Sequence, residues 1–336
     1  MKKLTILLSI IVIFALGVMG CSSNTTESVE SIEVETTENI ESKDDTSAIE
    51  TKSESEPETI TINHKLGEVV VNKNPKNIVV FDYATIDVLD ELGIEVKGLP
   101  KSNIPAYLEK FNDDKYVDVG TLFEPNFEKI FELEPEVIFI SARQAKLYEE
   151  FSKIAPTVYL ELSGADYIDI ITDNFNILGE IFDREDFIEQ ELAKIKEDIE
   201  DINNKVKEED KNAIVLLAND GSMSAFGEDS RFGMIYTEFG FKQVAENIET
   251  STHGQNISFE YILEQNPDYI FIVDKTAISG GSISTKEMFD NEIVKKTKAY
   301  KNDNIIYVDP EVWYVSPGGL KGTKIMLDEI KAAIEK

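Results

Sequence analysis

One arrangement of hydrophobic and polar positions occurs twice along this chain. Residues 126–140 read NFEKIFELEPEVIFI and residues 258–272 read SFEYILEQNPDYIFI. At a constant offset of 132 they share Phe127/Phe259, Glu128/Glu260, Ile130/Ile262, Glu132/Glu264, Pro135/Pro267 and a closing Ile-Phe-Ile triplet. In each copy the first apolar residues recur at helical spacing, a proline ends the helix, and an unbroken apolar run follows. Such a run suits a strand covered on both faces, as in a parallel sheet. The pattern therefore predicts helix, turn and buried strand, twice, in a chain built as two related lobes.

The remaining pattern fits the same reading. Alternation and a glycine over 59–63 and 66–71 predict a hairpin. Apolar runs at 77–82, 157–160, 212–219 and 304–309 predict buried strands, with shorter ones at 96–99, 116–120 and 240–244. Helices are expected over 85–92, from the end of the first copy to 154, over 231–239 and over 320–335, with 220–224 as a turn. Between the two copies lies a helical region from Asp166. One apolar stripe runs from Ile170 to Phe182; a thinner one, from Phe187 to Val206, lies on a helix over about 185–208. A long helix with a narrow stripe can pack along both lobes and join them. Strands alternating with helices predict an α/β fold with mainly parallel sheets, and ligands of such sheets bind beyond the carboxyl ends of the strands. Two lobes so built can hold a ligand in the cleft between them.

At 336 residues the chain has room for both lobes. Its formal net charge of -32 argues against a nucleic-acid partner, whose phosphates demand a basic surface. The N-terminus adds a location. Lys2 and Lys3 precede an apolar stretch from Leu4 to Val18, which is short for a membrane span, and then comes Val18-Met19-Gly20-Cys21. This resembles a bacterial lipobox, with Met19 where a small residue is usual. Residues 1–20 are expected to be a signal peptide, and Cys21, the only cysteine, a lipidated N-terminus that holds the mature chain on the outer face of the cell membrane. Residues 21–58 are Ser, Thr, Glu and Asp with isolated aliphatics, a composition expected to form a disordered acidic tether. The expected domains are then an N-terminal lobe over 59–165, a helical region over 166–209 and a C-terminal lobe over 210–336.

Five residues near strand or turn ends could carry chemistry: Arg143, Arg231, His253, Lys275 and Tyr314. Three cations so placed in an acidic chain point to an anionic ligand, and arginine offers a planar fork for paired oxygens. A phenolate oxygen is a hard donor suited to ferric iron, whereas zinc sites favour several His or Cys. Only two histidines are present, and His64 reads as a surface residue of the hairpin turn. An enzyme lacks its parts here: there is no Gly-x-Ser-x-Gly, no glycine-rich phosphate loop and no His-Glu-x-x-His.

From about residue 59 onward the chain resembles the siderophore-binding lipoproteins of bacterial ABC importers, in particular the group that takes catecholate, enterobactin-fragment or petrobactin-type ligands. The resemblance is carried by ISARQ at 140–144, SAFGEDSRFG at 224–233, Thr252-His253-Gly254, NPDYIFIVD at 266–274 and DPEVWY at 309–314. It implies a fold of two lobes bridged by a single long helix, a monomer, and no cofactor of its own. It implies that Arg143 and Arg231 flank a ferric catecholate and that Lys275 stands where the family often has a third arginine. It also implies that His253 and Tyr314 reach Fe3+ when a tetradentate siderophore leaves two positions open. Glu128 and Glu260, the symmetric pair of the repeat, match residues that dock on the two subunits of a permease dimer. On the same fold, a ligand such as haem, cobalamin or a hydroxamate siderophore is the alternative; a cell-surface hydrolase is a remote one.

Overall fold

Five short parallel strands form the first sheet of the computed structural model, which describes residues 57–162, 166–245, 248, 251 and 253–336. The expected signal peptide at residues 1–20, Cys21, the expected tether up to residue 56 and Thr252 of the Thr-His-Gly motif lie outside the described residues. Ser55–Lys336 forms one compact unit. Among the described residues, no helix is long and apolar enough to cross a membrane.

The chain opens with the antiparallel hairpin β1 (Thr59–His64) and β2 (Gly67–Asn72). The first sheet contains β3 (Ile78–Val80), β4 (Gly98–Leu99), β5 (Val117–Asp118), β6 (Val137–Ile140) and β7 (Thr157–Tyr159), in the order β5-β4-β3-β6-β7. The second contains β8 (Asn212–Asn219), β9 (Ser222–Phe226), β10 (Lys242–Gln243), β11 (Gln255–Asn256), β12 (Tyr269–Asp274) and β13 (Ile305–Val308). Its order is β11-β9-β8-β12-β13, with β10 beside the first residues of β8. Here the structure corrects the expected turn at 220–224. Asp220 and Gly221 make a tight turn, and Ser222 already begins β9, antiparallel to β8. The second sheet is therefore mixed, with β8, β10, β12 and β13 parallel.

Both repeat copies fold as their pattern predicts. Helix Phe127–Glu132 is capped by Asn126, whose Oδ1 accepts from the Lys129 amide at 3.1 Å; helix Phe259–Gln265 is capped by Ser258, whose Oγ accepts from Tyr261 at 3.3 Å. Each ends on a left-handed residue, Glu134 and Asn266, both at φ 47°, just before the proline. The strands that follow, β6 and β12, are interior strands, each paired on both sides and next to an edge strand. Ile138, Phe139 and Ile140 are fully buried, as are Ile270 and Ile272. Their alternation sends Phe139 and Phe271 into the core shared with the connecting helices. Ile138, Ile140, Ile270 and Ile272 enter smaller cores on the outer faces.

Helices Tyr167–Phe182 and Glu185–Glu208 lie between the two sheets in sequence, broken at Asp183, which adopts φ 51°. The longer one buries Ile188, Leu192, Ile195, Ile199, Ile202 and Val206, a stripe repeating every three or four residues. Phe187, expected on that stripe, is half-exposed at its edge. The last helix, Leu320–Ile334, packs on this long helix and also on Tyr83–Glu91 of the first lobe. The chain thus ends its course in contact with the lobe where it began.

Candidate functional site

The loops after β6 and β9 bring Arg143 and Arg231 to one place. After β6, Ser141 starts a tight helical turn, Ala142–Leu147, rather than the longer regular helix expected to 154; a short helix, Tyr148–Ser152, follows it. The turn is pinned by Gln144, buried, whose Oε1 accepts from the Ser141 amide at 3.2 Å and whose Nε2 donates to Leu122 O at 2.5 Å. Arg231, expected on a helix over 231–239, instead sits in the turn before it, and only Met234–Thr237 is helical. Ser230 Oγ donates to Gly227 O at 2.5 Å, and the Gly233 amide donates to Ser230 O at 2.9 Å. A Cβ at Gly233 would overlap the Glu228 carbonyl, so the turn admits only glycine there. Phe232 is buried edge-on against Phe226, with ring centroids 5.0 Å apart, and fixes the turn from below.

The third contributor is the segment after β13. Glu311–Val315 forms one wide helical turn, closed by the Ser316 amide donating to Glu311 O at 3.0 Å. Trp313 points inward, 1% exposed, and its Nε1 donates to Glu329 Oε2 at 2.7 Å. Tyr314 remains half-exposed at the cleft. Its carbonyl oxygen accepts from Arg143 Nη2 and from Arg231 Nη2, each at 3.0 Å. The Arg231 guanidinium lies 4.3 Å from the centre of the Tyr314 ring, and Lys275 Nζ lies 5.5 Å from the same ring. Lys275 arrives there as the first residue of a short helix following β12.

Of these groups, Arg143 and Arg231 line a cavity of about 600 Å³, and Tyr314 and Lys275 reach it only through their contacts with Arg231 and with one another. Ser141, Tyr167, Ser230 and Ser251 and the apolar Leu162 and Pro317 line it beside the two arginines; the Tyr167 hydroxyl itself is buried against Thr323 and Gly318, and exposed Asp229 is the one acid among the lining residues. Burial brings the Arg231 guanidinium down to about 10; the Tyr314 side opposes that shift and the neighbouring Arg143 adds to it. Its Nε is buried with no partner. Asp82, buried as the cap of helix Tyr83–Glu91, holds Thr85 through Oδ2 and leaves Oδ1 without a hydrogen bond. Burial raises its carboxyl, while the Thr85 bonds and the charge of Arg143 pull it back. The cleft therefore concentrates positive charge and hydrogen-bond donors under partial desolvation, where they act strongly on an anion. Among the described residues, no cluster of three His, Cys, Asp or Glu side chains is arranged to hold a metal ion by itself.

Of the residues singled out in the sequence, Arg143, Arg231, Lys275 and Tyr314 come together. His253 does not contact them. It is exposed in a turn closed by Ser251 Oγ donating to Gly254 O at 3.0 Å, two residues from the cavity wall at Ser251. Glu128 and Glu260 are exposed in the first turns of their helices, and the Glu260 carboxyl is lowered by its own amide and by Ser258. His64 corrects its expectation. It is half-buried, with Tyr148 and Tyr159 edge-on at 5.4 and 6.2 Å, and burial lowers its imidazole. Ser141, Tyr167, Ser230 and Ser251 were missed; the motifs containing Ser141 and Ser230 were the only signal for any of them.

Known proteins resemble the chain over most of its length. The petrobactin-binding protein YclQ of Bacillus subtilis is 46% identical over 288 residues, covering 84% of this chain and 91% of that protein. The crystal structure of YclQ superposes with a TM-score of 0.81 at 47% identity, covering 83% of this chain and 99% of that one. The ferric-anguibactin-binding protein FatB of Vibrio anguillarum is 35% identical over 277 residues, 81% of this chain and 86% of its own. The periplasmic catecholate-siderophore binding protein VctP of Vibrio cholerae superposes with a TM-score of 0.78 at 35% identity, covering 82% and 100%. All three are named for binding rather than for catalysis, in agreement with the missing enzyme motifs. With the family described as "Periplasmic binding protein" matching residues 78–312 of this fold, the chain belongs to that family.

Proposed function

We propose that this chain captures a ferric catecholate-type siderophore outside the cytoplasmic membrane and delivers it to an ABC permease for iron uptake. The observation that carries the reading is the convergence of Arg143 and Arg231, one from each lobe, on the mouth of a cavity of about 600 Å³ in a chain of net charge -32. In so acidic a molecule, a cleft lined by cations selects a strongly anionic ligand, and a ferric catecholate complex is one. Relatives named for petrobactin, anguibactin and catecholate siderophores support the same ligand class. Arg143 and Arg231 would clamp catecholate oxygens, Lys275 would add charge from the second lobe, and Tyr314 would offer its ring or its phenol. His253 and Tyr314 would ligate Fe3+ only where a tetradentate complex leaves positions free.

Relatives named as binding lipoproteins support a lipid anchor, here at Cys21, which would keep the chain at the membrane as a monomer within reach of its permease. Glu128 and Glu260 would dock on the two permease subunits, so that Glu128→Ala and Glu260→Ala lower uptake and leave ferric-siderophore affinity intact.

The test uses Trp313, the only tryptophan, which is buried directly beside Tyr314 in the wide turn. Titration of its fluorescence with a panel of ferric siderophores is expected to show tight quenching by a catecholate complex and weak quenching by a ferric hydroxamate, haem or cobalamin. The reverse order would sink the catecholate reading.

A further inference from the structure

Phe123 and Phe131 are 73% and 68% exposed, and no other described phenylalanine is exposed. Both are held rigidly. Phe131 lies on helix Phe127–Glu132, whose inner side is fixed by fully buried Ile130 and by Phe127 packing on Phe151 at 5.0 Å. Spacing places Glu128, Phe131 and Glu132 together on the outer side. Phe123 belongs to the turn closed by the Gly120–Pro125 bridge, in which Thr121 Oγ1 accepts from the amides of Phe123 and Glu124 at 3.2 and 2.9 Å. Glu124, Glu128 and Glu132 are all exposed, Glu124 next to Phe123 in the turn and the other two at helical spacing around Phe131.

The second repeat copy preserves half of this arrangement. Glu260, Leu263 and Glu264 repeat the acid–apolar–acid order, with a half-exposed leucine in place of the exposed phenylalanine. The position matching Phe123 is Gln255, within β11. Glu128 and Glu132 are matched by Glu260 and Glu264; Glu124, which falls opposite Asn256, and the two aromatic rings are not matched.

We infer that Phe123 and Phe131, ringed by Glu124, Glu128 and Glu132, form the anchoring half of an asymmetric docking surface. The partner is an extracytoplasmic surface of one ABC permease subunit that presents arginine or lysine beside an apolar hollow. The inference rests on the delivery reading proposed above. Charge complementarity selects a basic partner, and aromatic residues at an interface core supply the area that surface acids alone do not. Glu260, Leu263 and Glu264 then make the weaker contact, and the chain docks in one of the two orientations its pseudo-symmetry would otherwise allow.

The experiment compares the parent chain with Phe131→Ser, Phe123→Ser and Leu263→Ser. Association is measured with an ABC permease that imports iron with this chain, held in nanodiscs, and ferric catecholate affinity is measured in parallel. Each phenylalanine variant is expected to weaken association on the order of tenfold, and Leu263→Ser by clearly less, with ferric affinity unchanged. Equal losses in all three variants, or no loss in any, would overturn the asymmetric anchor. A fall in ferric affinity would assign the patch to the ligand site, and self-association of the parent abolished by Phe131→Ser would assign it to a second copy; either overturns the inference. A parent that binds ferric siderophore but no permease refutes docking and leaves capture standing, whereas one that binds permease but no ferric siderophore refutes capture alone.

Discussion

Arg143 and Arg231 donate to the same atom, the carbonyl oxygen of Tyr314, each at 3.0 Å. A neutral carbonyl carries only a partial charge, so it aligns two guanidiniums without neutralising them. Their mutual repulsion and the burial of Arg231 are offset only in part, by Tyr314. The shared carbonyl fixes the two guanidinium groups relative to one another; in the binding role proposed above, that would reduce the ordering cost at binding.

Removal of either arginine should therefore weaken a ferric catecholate strongly. Arg143→Ala and Arg231→Ala are each expected to cost about 1.5–3 kcal/mol of binding, the range for a charge-assisted hydrogen bond. Arg→Lys at either site should recover only part of it, because the charge returns without the fork. Titration calorimetry checks this; full recovery by lysine would mean that charge alone matters.

His253 and Tyr314 make a separable prediction. His253 is exposed, in a turn two residues from Ser251 of the cavity wall, whereas Tyr314 stands beside Arg231. His253→Ala and Tyr314→Phe should weaken a tetradentate ferric complex more than a hexadentate one. The charge-transfer absorption of an iron–phenolate should appear with the tetradentate ligand and vanish in Tyr314→Phe. Equal effects on both ligands would exclude direct ligation.

Asp87 gives the chain a pH dependence. It is 1% exposed on helix Tyr83–Glu91, and its Oδ2 accepts from the Gly322 amide at 2.8 Å, at the start of the last helix. Burial raises its carboxyl to about 7, reinforced by Glu91 and Asp90 and opposed by the amides of Gly322 and Lys321. Between the unfolded value of 3.8 and about 7 the folded chain holds a proton that the unfolded chain has lost, so this group's contribution to stability falls as pH rises through that window. Asp87→Asn should remove that slope while keeping an acceptor for Gly322. Urea unfolding of parent and variant is expected to show the stability difference shifting toward the variant by on the order of 1–3 kcal/mol between about pH 4 and about pH 7, then levelling off. A parallel pair of profiles would mean the carboxyl does not titrate there.

The helix–proline–strand repeat was legible because its signals are local: a cap, a helical spacing, a proline and an apolar run. Strand β9 carried a signal of its own, the Asp220-Gly221 hairpin turn followed by the alternation Ser222-Met223-Ser224-Ala225, but the run is short and its small polar residues read equally as turn. Arg231 was legible as a cationic candidate but not as a turn residue, because the apolar spacing after it continues a helical pattern that Gly233 interrupts. Asp82 and Asp87 went unseen among 65 acidic residues, as nothing in sequence separates a buried carboxyl from a solvated one. The Tyr314 carbonyl was beyond reach for a simpler reason. A backbone oxygen has no residue-type signature, and its role depends on two arginines delivered by distant loops.

The return of the last helix to the first lobe has a consequence for how the chain is made. The packing of helix Tyr83–Glu91 stays incomplete, and Asp87 lacks its amide donor, until Gly319 to Ile334 have been synthesised. A Cβ at Gly319 would overlap the Asp87 carboxylate, so the late segment must fit an early-built surface closely. Vectorial folding, with the N-terminal lobe completed first, is closed to this topology. The lobe emerging first must wait, incompletely packed, for contacts of high sequence separation, and these are slow to form.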